Sequence, residues 1–349
     1  MYDNVKQLLA RRDVHCYGSA ELLKFEEQMA RYFEREYARW RGNKNPPEDY
    51  GISTFEGDVI DGVTYDRSIN HYNKQLNIYQ AFLDNEFMAY SMAYYGITDA
   101  STGHKNGITL EQAQIEKYEL IIERADIRDG QHILDIGCGF GGFIKYLFHR
   151  YPNITATGIN PSSTQADYIR NQLKPDADRF RLVQQRFAQP EVNGLQEQSF
   201  DRIVSIGTME HFSNFDLLFR YQRQLLKPGG KSLHHLIVSA YTIPHFLNAE
   251  DTIMAEYFPG GHIWPYSELM RHDSHLKFVK SWFINGMNYW KTIDEWHKRF
   301  WNNIESLYPD LLSTDDVDSW NKYFVLCKAM FSPDGGSSYG VGHYLFENI

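Results

Sequence analysis

The sequence predicts an α/β protein built on a Rossmann-like, doubly wound, mostly parallel sheet, with a helical cap at the N-terminus. Three observations carry that expectation. Between about residues 110 and 240, short apolar runs alternate with amphipathic helical stretches, a pattern that folds as a parallel sheet with its functional edge at the carboxyl ends of the strands. The first of these runs enters a glycine-rich turn, LDIGCGFGG, ahead of a helical segment. The residues before them show helical periodicity and no strand pattern.

Taken in order, apolar residues at Leu22, Leu23, Phe25, Met29, Tyr32, Phe33, Tyr37 and Trp40 have helical spacing, with Ser19 as cap and Gly42 and Pro46-Pro47 as the stop. The polar stretch from Glu48 to about Asp66 reads as a linker, and the aromatic-rich stretch from His71 to Tyr95 reads as helix. Residues 1–70 thus form a cap. LEQAQIEKYELIIERADI is an amphipathic helix, and Asp129-Gly130 is the turn ahead of the first buried strand. Strands are expected at His132 to Ile136, Thr155 to Ile159, Arg179 to Val183, Asp201 to Ile206 and Lys231 to Val238. LLKPGGKSLHHLI sets a Pro-Gly-Gly turn between a helix and the last of these.

Composition narrows the partners. With 35 Lys+Arg against 45 Asp+Glu the net charge is −10, which disfavours nucleic acid and an anionic membrane surface, so membrane contact is at most peripheral. Aromatic residues reach 15%, supplying flat faces for a cation or an apolar ligand. Cys16, Cys138 and Cys327 are widely spaced, which argues against a disulfide framework or a cysteine zinc site and fits a reducing, cytoplasmic setting. His272 and His275 have metal-pair spacing, but no third ligand is indicated, and a solvated helix face accounts for them. No stretch approaches the roughly 18 apolar residues of a membrane span, so a soluble protein is expected.

Gly137, Gly139 and Gly142 satisfy G-x-G-x-x-G at a strand-to-helix turn, where the missing Cβ lets backbone approach a ligand. A nicotinamide cofactor would want an acid about 20 residues on; the second strand instead ends in Gly158-Ile159-Asn160. Asp135, immediately before the glycines, can hold a cationic amino-acid moiety, and the Pro-Gly-Gly turn is frequent in S-adenosylmethionine-dependent methyltransferases. S-adenosylmethionine is therefore the expected cofactor.

From about His71 onward the chain resembles the cyclopropane-fatty-acyl-phospholipid synthase family, including mycolic-acid cyclopropane synthases and related plant alkaloid N-methyltransferases. The resemblance rests on HYNKQLNIYQAFLDNEFMAYSMAYY, ITLEQAQIEKYELI, LDIGCGFGG, FDRIVSIGTMEHF, LLKPGGKSLHHLI, YFPGGHIWP, NYWKTIDEW and YFVLCKAMF, in the family's order. It implies a methyltransferase domain over 71–349, with a core at about 110–240 and acceptor-pocket insertions at about 241–330. It also implies cofactor contacts from Tyr90 and Ser91, from the loop holding Asp135, Gly137, Cys138, Gly139 and Gly141, from Asn160 and Gln165, and from Gln185 and Arg186. By the same resemblance a bicarbonate ion acts as base beside the acceptor, framed by Glu210, His235 and Tyr289, with Cys327 as a further active-site residue. Where the family usually reads Tyr-Ser-Cys, this chain reads Tyr90-Ser91-Met92, losing a small polar group beside that anion site.

Three functions remain open on the sequence. The first is one-carbon transfer to an electron-rich, largely apolar or amphipathic acceptor, with an unsaturated acyl chain as the family default. The second is methylation of nitrogen or carbon in a specialised small molecule, with Glu210 and His211 orienting or deprotonating the acceptor; the alkaloid branch has a further Glu where this chain has Gly207. The third is a catalytically silent partner subunit that binds the cofactor. The stripe from Ser19 to Trp40 is read first as core packing, with a lid over the acceptor pocket or an oligomer contact as the alternatives.

Overall fold

A computed structural model of the chain describes residues 2–41, 57–60, 62–98, 107–240, 257–258 and 261–349. Its strands are β1 (His132–Ile136), β2 (Thr155–Ile159), β3 (Phe180–Val183), β4 (Phe200–Ile206), β5 (Leu226–Ser239), β6 (Trp264–Pro265), β7 (Lys277–Asn285) and β8 (Tyr339–Glu347). They form one sheet in the order β3-β2-β1-β4-β5-β8-β7, with β6 pairing on β5. Strands β1 to β5 are parallel, and β8 is antiparallel to both β5 and β7.

The buried strands read as apolar runs because helices cover both faces of a parallel sheet. Ile133, Val204 and Leu233 pack with Ile121 of α5 (Leu110–Ala125) and Leu147 of α6 (Gly142–Arg150). On the opposite face Leu134, Ile203 and Leu236 pack with Leu218 and Phe219 of α8 (Phe215–Leu225). The remaining helices are α1 (Tyr2–Ala10), α2 (Ala20–Trp40), α3 (Gly62–Tyr72), α4 (Leu76–Phe82), α7 (Ser163–Gln172), α9 (Met287–Asn302) and α10 (Thr314–Phe331).

Ser19 caps α2 by accepting the Leu22 amide at 3.3 Å. Helix α2 runs against α10, where the Tyr37 hydroxyl donates to the Met330 carbonyl at 3.2 Å and the buried Lys328 ammonium meets Glu26 at 2.6 Å and Asp294 of α9 at 3.0 Å.

Two expected elements differ. The segment from His71 to Tyr95 is not one helix: α3 ends at Tyr72, α4 ends at Phe82, and the chain beyond runs without helix to residue 98. Asp84 stops it, being fully buried and accepting the amides of Phe87 at 2.6 Å and Ala89 at 2.8 Å around a left-handed Met88. Side chains of α9 then take the next amides, Thr292 that of Ala93 at 2.9 Å and Asn288 that of Tyr95 at 2.9 Å, so this backbone is satisfied without a helix. The expected linker to Asp66 is helical from Gly62, while residues 42–56 lie outside those described. The Pro-Gly-Gly turn falls inside β5, not ahead of it.

Candidate functional site

At the carboxyl ends of β1, β2 and β4 lies a cleft of about 1090 Å³ including its mouth, roomy enough for a nucleoside-sized ligand. Its floor is the glycine turn. Gly137 has φ +76 and a Cβ there would fall 2.0 Å from Thr208 Oγ1, while a Cβ on Gly142 would fall 2.3 Å from the Phe87 carbonyl. These positions are glycine because backbone and neighbours leave no room for a side chain.

Asp135 is the last but one residue of β1, under this turn. It is buried, its Oδ1 has no hydrogen-bond partner among the described residues, and burial pushes its carboxyl up to about 7 against the pull of Lys117. A buried carboxylate oxygen facing a cleft without a donor is a place for a cation. Across the floor, Asn160 Nδ2 donates to the Gly139 carbonyl at 2.8 Å and to Gln165 Oε1 at 2.9 Å, tying the end of β2 to the glycine turn. These groups fit S-adenosylmethionine: an acid for the ammonium, a cradle without side chains, and neutral polar atoms after β2.

Tyr90, Ser91, Asp135, Gly137, Cys138, Gly139, Asn160, Gln165 and Arg186 line this cleft. Gly141 sits at the start of α6 as its left-handed cap. Gln185 accepts from Asn193 Nδ2 at 3.1 Å and lines an adjoining hollow with Asp58, to which Arg186 is paired at 2.9 Å. Burial raises the Cys138 thiol well above its ordinary range, with Asp135 adding to the effect, so it is not a ready nucleophile.

The four residues expected at the acceptor are buried or half-buried and are not among those that line the cleft. Glu210 is buried after β4; its Oε1 accepts the Ile237 amide at 2.7 Å, its Oε2 has no partner among the described residues, and burial pushes it up to about 7 although the amides it accepts pull it down. Tyr289 stacks on Phe331 at 4.6 Å, its hydroxyl pKa raised by burial and then by Glu210. Cys327 is buried in α10 and pushed up to about 12 by that burial.

His234 and His235 point to opposite faces of β5. His234 packs against Phe219 of α8 and is pushed down to about 3 by burial. His235 shares a 2.8 Å hydrogen bond from its Nδ1 to His343 Nε2, and Arg124 meets His343 Nδ1 at 2.8 Å. Arginine only donates, and burial holds both imidazoles neutral. His343 therefore carries its proton on Nε2 and gives it to His235 Nδ1, which places the His235 proton on Nε2.

Several site residues escaped the sequence reading. Tyr72 and Ser68, one turn apart on α3, line the cleft and hold His211, with Tyr72 Oη at 3.0 Å from Nε2 and Ser68 Oγ at 3.3 Å from Nδ1. Their spacing on one helix face was the available signal, but the pair straddles the expected boundary at residue 70 between cap and methyltransferase domain. The Tyr90 ring lies among Tyr72, Tyr79, Phe82 and Trp296 at centroid distances of 6.5, 5.7, 5.8 and 5.4 Å, which makes an aromatic wall beside the cleft. His272 and His275 do not form the expected solvated helix face: neither is helical, His272 packs on Phe215 and Phe219 and meets the buried Glu268 at 3.4 Å, and His275 meets Asp216 at 3.0 Å.

A family profile described as mycolic acid cyclopropane synthetase matches residues 63–336. Among characterised relatives, N-methyltransferase 4 of Papaver somniferum is 29% identical over 258 residues, covering 70% of this chain and 72% of the relative. The cyclopropane-fatty-acyl-phospholipid synthase of Escherichia coli K12 is 30% identical over 245 residues, 69% of this chain and 58% of that enzyme. Among solved structures, a coclaurine N-methyltransferase bound to N-methylheliamine and SAH superposes with a TM-score of 0.70 at 20% identity, covering 94% of this chain and 99% of the other. A cyclopropane synthase of Mycobacterium tuberculosis gives 0.68 at 23%, covering 83% and 99%. The chain shares its doubly wound fold with both of these structures.

Proposed function

The chain belongs to the mycolic acid cyclopropane synthetase family of S-adenosylmethionine-dependent methyltransferases, and from that premise we propose that it methylates the nitrogen of an amine carried on an apolar body. The observation that carries this reading is the buried Glu210 carboxylate, whose Oε2 has no partner among the described residues, next to His211 on the cleft wall. A buried acid flanked by aromatic rings is a site for an ammonium group. An ammonium has no lone pair, so it must lose a proton before it can attack, and a carboxyl poised near neutral pH suits that task. The cofactor, when bound, supplies an electrophilic methyl group on a sulfonium.

This chain's own residues then divide the work. Asp135 holds the cofactor's ammonium, and the glycine turn admits its body. Tyr72 and Ser68 fix the His211 ring, Glu210 Oε2 receives the acceptor's proton, and the aromatic wall around Tyr90 excludes water from the transfer.

A second reading, methyl transfer to an unsaturated acyl chain, is favoured by the same aromatic faces, which stabilise a carbocation. In the family that chemistry uses bicarbonate to remove a proton. Beside the expected place of that ion, Met92 is fully buried and offers no donor, and the Ile237 amide is given to Glu210. No step is routed through it. No helix among the described residues is long and apolar enough to cross a membrane, so a phospholipid acceptor would be met peripherally.

The deciding experiment is incubation with methyl-labelled S-adenosylmethionine and two acceptor pools, small amines and unsaturated phospholipids. Label in the amine pool supports the leading reading, whereas label only in lipid replaces it with the second.

A further inference from the structure

Beneath the cleft wall lies a cation that the scheme above does not use. Lys117 is 1% exposed and falls on the buried face of α5, one turn from Ala113 and from Ile121. Its Nζ donates to Ser91 Oγ at 2.8 Å and to Gln114 Oε1 at 2.6 Å, and lies 4.5 Å from the centre of the Tyr118 ring. Among the described residues no carboxylate stands within ion-pair distance of it. Asp84, with both oxygens given to the Phe87 and Ala89 amides, and Asp135 act on it only at longer range. Burial outweighs both and pulls the ammonium down to about 7. An ammonium taken out of water is costly unless an anion answers it.

Hydrogen-bond directions dictate what Ser91 can do with this neighbour. An ammonium only donates, so Ser91 Oγ accepts from Lys117 and its own proton must be given elsewhere. Gln114 fixes the residue from a second side, its Nε2 donating to the Ser91 carbonyl at 3.2 Å while its Oε1 takes the ammonium. Ser91 faces the cleft, and its Cβ lies 3.6 Å from where a Cβ on Gly207 would be, which puts it at the carboxyl end of β4. The neighbouring strand β1 presents Asp135 to the same cleft, Asp135 being in register with Val204 of β4. An O–H donor backed by a buried cation and a buried acid thus face one space.

We propose that Lys117, acting through Ser91, recognises the carboxylate of the cofactor's amino-acid tail while Asp135 recognises its ammonium, so that the two together read a zwitterion. The inference rests on the cofactor assignment and is independent of which acceptor is methylated. Gln114 is a positioning residue in this arrangement, since it holds both Ser91 and Lys117.

The test compares two ligands, S-adenosylhomocysteine and its decarboxylated counterpart, which keeps the amine and lacks the carboxylate. Their affinities are measured by calorimetry on the wild-type chain, Lys117→Met and Ser91→Ala. The wild type should prefer S-adenosylhomocysteine by about 30-fold or more; Ser91→Ala should lose about tenfold or more for that ligand while changing less than about threefold for the other, and Lys117→Met, which also removes the pull on Asp135 and so weakens both, should still cut the preference about tenfold or more. Ser91→Ala leaves the buried cation in place, so it decides the matter should Lys117→Met fail to fold. If both ligands bind the wild type equally, or if both variants keep the wild-type ratio, Lys117 and Ser91 do not read the carboxylate. If the wild type binds neither ligand, the cofactor assignment itself fails and takes this inference with it.

Discussion

Asp135 gives the cofactor site a pH dependence whose size follows from its burial. The ordinary aspartate pKa is 3.8, and in the folded chain burial raises it to about 7. Below about pH 4 the group is neutral in both folded and unfolded chains. Between about pH 4 and pH 7 the unfolded chain ionises while the folded one resists, so ligand-free protein loses stability across that window, by roughly 4 kcal/mol. An ammonium placed against Oδ1 favours the ionised form, so binding must deprotonate Asp135. At pH 6 about one site in eleven is ionised and at pH 8 about ten in eleven, so the affinity for S-adenosylhomocysteine should fall about tenfold from pH 8 to pH 6. Calorimetry across that range, repeated in two buffers of different ionisation enthalpy, measures both the affinity and the proton released. Asp135→Asn should bind weakly at every pH and show no slope. An affinity constant to within about twofold between pH 6 and pH 8, or a slope that survives Asp135→Asn, would refute the reasoning.

Glu210→Gln keeps the size of the side chain but removes the proton acceptor, so turnover should drop about 100-fold with S-adenosylhomocysteine affinity unchanged. Because burial raises the Glu210 pKa to about 7, wild-type turnover under saturating cofactor should decline as pH falls below that value; a flat profile removes Glu210 as base. Gly137→Ala forces a side chain into left-handed backbone against Thr208; the strain of about 1–3 kcal/mol should appear as weaker cofactor binding by equilibrium dialysis. Lys328→Met leaves Glu26 and Asp294 facing each other between α2, α9 and α10. Breaking such a buried pair costs about 3–5 kcal/mol, readable in urea unfolding, while cofactor affinity stays the same.

What could be read from the chain was whatever its local pattern dictates. The run HILDI followed by GCGFGG set β1, the turn and the start of α6, because buried parallel strands are apolar throughout and a tight turn over a ligand demands glycine. The periodicities of α2 and α5 and the runs of β2 to β5 were legible for the same reason. The acids that matter at the cleft stood out because they interrupt or directly follow those runs, Asp135 inside β1 and Glu210 after β4.

Tertiary structure alone decided what depends on residues far apart in the chain. Neither β7 nor β8 was anticipated, and it is β8 that places His343 opposite His235 and so fixes the tautomer of that ring. The path from Leu83 to residue 98 could not be seen because its amides are satisfied by Asp84 and, some 200 residues later, by Asn288 and Thr292. Lys117 looks in sequence like any lysine on an amphipathic helix. Only the packing of α5 against Ser91 and the cleft shows that its ammonium is buried with no counter-ion among the described residues, since burial is a property of neighbours brought together by the fold and not of the residue's own segment.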